Sequence, residues 1–139
     1  KMTVNEMKSY VDGVLTSDGV QQFLALNEVT NTLSPMINIV PSCGPMYAAL
    51  TYGFILIEVS SWILVDKAAT EGVLRHEVAH TLQSKCRLGG ILHGAEFDKA
   101  LQIVSPYTWE LDKFWQPNVM IEKARQALHP EAILIGGVN

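Results

Sequence analysis

His76-Glu77-Val78-Ala79-His80, inside the longer run Val73-Leu74-Arg75 to Thr81-Leu82-Gln83, is the stretch on which the reading of this chain turns. Val73, Leu74, Val78 and Leu82 repeat with helical spacing, so the run predicts a helix starting beyond Asp66 and closing near Gly89-Gly90. Two histidines four apart lie one above the other on such a helix, and both imidazoles can converge on one ion from the same face. Glu77 projects beside that ion without having to bind it. A carboxylate in this position can act as general base toward water that the metal acidifies, which is the chemistry of the H-E-x-x-H pattern.

A catalytic zinc commonly takes three protein ligands and leaves one position open, so a third donor is required. The chain has four histidines, and three of them fall between positions 76 and 93. His93 is the first candidate, because Gly89-Gly90 lets the chain reverse after the helix and return an imidazole to the metal. Glu96 and Cys86 are the alternatives, as carboxylate and thiolate donors. The longer pattern H-E-x-x-H-x-x-G-x-x-H is broken, since Gln83 and Cys86 stand where its glycine and last histidine would be. His129, beside Pro130, reads as a capping or surface residue.

Outward from this centre the chain reads as one α+β domain over residues 1–139. Thr3-Val4-Asn5-Glu6 has the form of a capping box, and Val4, Met7, Val11 and Val14 predict a helix from Val4 to Leu15. Ser17-Asp18 opens a second, short helix carrying Val20, Phe23 and Leu24, and Ser34-Pro35 breaks the pattern. Three extended segments follow: around Ile37 and Ile39, from Tyr47 to Tyr52, and from Phe54 to Ser60. They predict a small sheet of about three strands, read as antiparallel, with the last strand as the exposed edge on which a peptide would lie. Ala95 to Val104 predicts a further helix with Phe97, Ala100, Leu101 and Val104 inward. Trp109 to Trp115 and Pro117 to Leu128 look helical as well, and the apolar tail from Ala132 to Gly137 is expected to dock or pair.

Composition narrows the function. The hydrophobic content of 48% suits a buried core, and the formal charge of −4 gives no footprint for nucleic acid. The longest apolar run, Phe54 to Val59, is interrupted by Glu58 and is far too short for a membrane span. The N-terminal residues lack a secretory pattern, Met2 reads as a natural start, and two cysteines, Cys43 and Cys86, read as free thiols of an intracellular, cytoplasmic protein. Lys67, Lys85 and Arg87 flank the motif helix and read as a solvated basic face.

The pairing of His76 to His80 with His93-Gly94-Ala95-Glu96-Phe97 resembles the SprT-like metallopeptidases, which combine H-E-x-x-H with a downstream H-G-x-E-F. The resemblance covers Val4 to Val104, including the order of N-terminal helices, small sheet, motif helix and His-Gly turn. It implies a zincin-like fold, His76, His80 and His93 as zinc ligands, Glu77 as catalytic glutamate, and hydrolysis of a protein or peptide substrate. The family includes Spartan-type proteases that act on proteins crosslinked to DNA. No four-cysteine ribbon or basic tail accompanies the motifs here, so the expectation is a compact peptidase of the kind a bacterial or phage genome encodes. The rival expectations are a catalytically silent zinc-containing binding or regulatory protein, and a metal-free structural domain.

Overall fold

The computed structural model describes residues 1–41, 43 and 47–105, so the helices and tail expected beyond Val104 lie outside the described residues. The described chain is α+β, with four α-helices and a three-stranded mixed sheet.

Helix α1, Val4–Leu15, begins at the expected capping box: Glu6 N–H donates to Thr3 Oγ1 at 3.1 Å, and Thr3 N–H donates to Glu6 Oε1 at 3.2 Å. Its buried stripe is Met7, Val11, Val14 and Leu15. Helix α2, Asp18–Leu26, starts after Ser17, whose hydroxyl donates back to the Val14 carbonyl at 2.6 Å instead of capping the new helix.

Strands β1 (Met36–Val40), β2 (Ala49–Tyr52) and β3 (Leu56–Ser60) form the sheet in the order β1-β3-β2. β2 and β3 make an antiparallel hairpin around Gly53, which sits at φ +58°, whereas β1 and β3 run parallel. The antiparallel expectation is therefore corrected for one of the two pairings. The last strand is also the central strand and not an edge. Ile57, Val59 and Ser60 of β3 are buried, as suits a strand flanked on both sides. Short apolar runs show that a strand is buried, but carry no information about its neighbours.

A single 3-10 turn, Ser61–Val65, leads from β3 into α3, Lys67–Lys85. Asp66 caps α3 by accepting from Ala69 N–H at 2.9 Å. The helix stops before the glycine pair. Leu88 N–H donates to Gln83 O at 3.1 Å and Arg87 N–H to Ser84 O at 3.2 Å, a Schellman closure in which Arg87 takes the left-handed position at φ +52°. Helix α4, Ala95–Val104, packs back on α3 and buries Phe97, Ala100, Leu101 and Val104. Arg75 fastens this arrangement, donating to Tyr10 Oη of α1 at 2.7 Å and to the Val104 carbonyl at the end of α4.

One core joins α1, α2, the sheet, α3 and α4. Among the described residues, no helix is long and apolar enough to cross a membrane.

Candidate metal centre

Helix α3 is the most enclosed helix of the described chain, and it carries His76, Glu77 and His80 on its middle turns, with 1%, 0% and 7% of their surface exposed. Burying three ionisable side chains in one turn is costly unless they are bonded or bind an ion.

His93 arrives from the other side. Gly94 N–H donates to the Ile91 carbonyl at 3.2 Å, closing a turn in which His93 stands at φ +61°. This left-handed backbone is uncommon for a residue with a side chain, though histidine is among the types enriched there. The turn is built tightly: a Cβ on Gly94 would lie 2.6 Å from Ile91 Cγ1 and 3.3 Å from the Ile91 carbonyl oxygen. Only glycine fits at 94 without displacing the turn that aims His93.

As a result, His93 Nε2 lies 3.0 Å from His76 Nε2 and 3.2 Å from His80 Nε2. The three residues offer ligand atoms that all lie within 4.8 Å of one another. Zinc–nitrogen bonds of about 2.0–2.1 Å at tetrahedral angles put ligand nitrogens about 3.3–3.4 Å apart, so the cluster is close to the size a zinc ion needs. One proton on His93 Nε2 can bridge to only one neighbour, and the crowding of three ring nitrogens is what a shared cation relieves. His76, His80 and His93 could hold a metal ion.

The two alternative donors fall elsewhere. Both Glu96 carboxylate oxygens are 3.1 Å from Lys99 Nζ, one turn along α4. Cys86 packs against the hydrophobic core, and burial pushes its thiol above the usual range.

Two residues at the centre stand outside the expected set of ligands and catalytic groups. Phe97, fully buried, underlies all three imidazoles, with ring centroids 4.9 Å from His76, 4.4 Å from His80 and 5.0 Å from His93. In the sequence it closes the H-G-x-E-F pattern and reads as an inward residue of the next helix. Thr51 of β2 donates through Oγ1 to Glu77 Oε1 at 2.8 Å, and the same hydroxyl lies 3.3 Å from the Glu77 carbonyl oxygen. Thr81, one turn beyond Glu77, also donates to that carbonyl, at 3.0 Å. The general-base candidate is thus gripped by the edge strand.

Tyr52 is exposed at the end of β2, and a hydrogen bond to Glu58 pushes its hydroxyl up in pKa. Tyr107 and His129 lie outside the described residues.

Compared with protein-family models, curated proteins and solved structures, the chain gives no match. The case for a function therefore rests on the residues themselves.

Proposed function

We propose that this chain is a zinc-dependent peptidase of zincin-like fold, related in its motifs to the SprT-like metallopeptidases. The observation that carries the reading is the convergence of three imidazole nitrogens from α3 and the His93 turn, with Glu77 following the first of them in the chain. Zinc held by His76, His80 and His93 would supply Lewis acidity at an open fourth position.

The chain's own residues do the rest. Glu77 accepts a proton from the attacking water and returns it to the departing amine nitrogen. Thr51, by donating to one carboxylate oxygen, fixes the rotation of that side chain. β2 replaces β3 as the strand against which an extended peptide lies: it is an edge strand, it touches α3, and Thr51 links it to Glu77. Among the described residues, no strand pairs with its outer side.

One observation favours the rival, a zinc-containing binding protein without turnover. Glu77 is fully enclosed in this conformation, so water must be admitted before it can act. One experiment separates the readings. Purified protein is assayed for bound zinc by atomic emission and for cleavage of an unfolded protein substrate, alongside Glu77→Gln. The peptidase reading expects about one zinc per chain in both proteins, with cleavage in wild type and at least a hundredfold less in the variant, in line with general-base contributions of about 10²–10⁴. Zinc retained without wild-type cleavage points to the binding protein. A folded chain indifferent to zinc and chelator sinks both.

A further inference from the structure

A cleft of about 370 Å³ opens directly beside the histidine cluster, and its lining is chemically one-sided. His80 and Thr51 form its inner end, Gln83 and Ser84 continue along α3, and Arg87 and Leu92 belong to the loop that follows. Among the described residues that line it, Arg87 carries the sole full charge, and no carboxylate is present. Arg87 is exposed, and no described carboxylate forms an ion pair with it. The neighbouring basic residue is engaged elsewhere: Lys85 Nζ sits 4.3 Å over the Phe54 ring at the hairpin rim. Glu96, behind Gly90, is neutralised by Lys99.

The cleft is also held in shape. Gln83 Nε2 donates to the Gly89 carbonyl at 2.9 Å and the Ile91 carbonyl at 3.4 Å, tying the loop to the helix. The Schellman closure sets where Arg87 leaves α3. An otherwise acidic chain, at −4, thus presents a cationic recess within reach of its candidate metal centre.

We propose that this cleft is a specificity subsite for a carboxylate on the bound peptide, recognised by Arg87. The inference rests on the peptidase reading, and it names the substrate class: peptides bearing an acidic side chain, or a free C-terminal carboxylate, beside the point of cleavage. Arginine suits this task because its planar fork donates two parallel hydrogen bonds to a carboxylate.

The test uses three fluorescein-labelled alanine-based hexapeptides: one amidated with a central Glu, one amidated with Gln at that position, and the Gln peptide with a free C-terminus. Binding to zinc-loaded Glu77→Gln protein is followed by fluorescence anisotropy, and wild-type cleavage by mass spectrometry. At least one carboxylate peptide is expected to bind about fivefold more tightly than the amidated Gln peptide, an effect at the upper end for an accessible ion pair. Preference for the Glu peptide alone identifies a side-chain subsite, and preference for the free acid alone identifies a chain-end subsite. Adding Arg87→Gly should abolish the preference without harm to the fold, because glycine is the residue the left-handed position favours.

Equal binding of all three peptides, absence of binding, or a preference that survives Arg87→Gly would overturn the proposal. Wild-type cleavage without acidic preference removes the subsite and leaves the peptidase. Selective, Arg87-dependent binding with no wild-type cleavage does the reverse.

Discussion

Thr51 and Glu77, 26 residues apart in the chain, meet through a hydrogen bond of 2.8 Å from the threonine hydroxyl to the glutamate carboxylate. This contact links the edge strand, where a peptide would lie, to the group that would activate water. Thr51→Val keeps the shape of the side chain and removes the donor. A hydrogen bond to a charged group is worth about 1.5–3 kcal/mol, so kcat should fall by roughly tenfold or more, with KM and zinc content little changed. Thr51→Ser should recover most of the loss. If Val and Ser variants turn over alike, the hydroxyl does not position Glu77.

The ligand assignment makes a contrast between two histidines. His93→Ala removes one of three converging donors, while His129 lies outside the described residues and reads from the sequence as a capping or surface residue. Zinc affinity, measured by competition with a chromophoric chelator, should drop more than about 100-fold for His93→Ala, beyond the range typical of residues that only support a ligand. His129→Ala should leave it within a factor of a few. Equal losses would refute His93 as a ligand.

Phe97→Ala should affect stability and metal binding together. Truncating a buried phenylalanine costs about 3–5 kcal/mol, and the cavity would open beneath all three imidazoles. Thermal unfolding and zinc titration should both worsen in this variant. In Phe97→Leu the damage should be smaller in both, because most of the volume is kept. A Phe97→Ala protein that loses stability while binding zinc normally would show that the ring supports the core alone.

The two thiols give a pH-dependent prediction. Burial raises the Cys43 thiol above its ordinary range, and burial raises Cys86 as well, against the opposing pull of Lys85. The folded chain therefore holds these protons more firmly than the unfolded chain. The associated stability is fully present below the ordinary thiol range and is lost as the pH rises through the folded values. A disulfide-exchange reagent at neutral pH should react with Cys43 far more slowly in native than in denatured protein, and the native rate should climb in alkali. Rapid native labelling of Cys43 at pH 7 would contradict this.

What the sequence made legible was whatever is decided locally. Helix α1 runs over Val4–Leu15 as expected, because cap and apolar period are both local signals. The motif helix and α4 follow for the same reason. Sheet order did not, since the apolar character of Leu56–Ser60 says that it is buried and not that β1 and β2 flank it. The glycine pair Gly89-Gly90 reads as the end of α3, whereas the chain turns earlier by placing Arg87 in a conformation that glycine usually supplies. The three histidines were readable because their chemistry is rare and their spacing specific. Thr51's contact with Glu77 and the place of the Phe97 ring beneath the imidazoles were not, because both depend on distant partners.

His80 and His93 bracket the segment that carries Arg87, Gly89 and Gly90. An ion shared between these two histidines would clasp the two ends of that segment together. The hydrogen bonds from Gln83 to the Gly89 and Ile91 carbonyls already hold this segment without an ion, so a bound metal would add a second tie to a wall that is formed beforehand. A recess shaped in advance would then receive its ligand whether or not the three imidazoles are loaded.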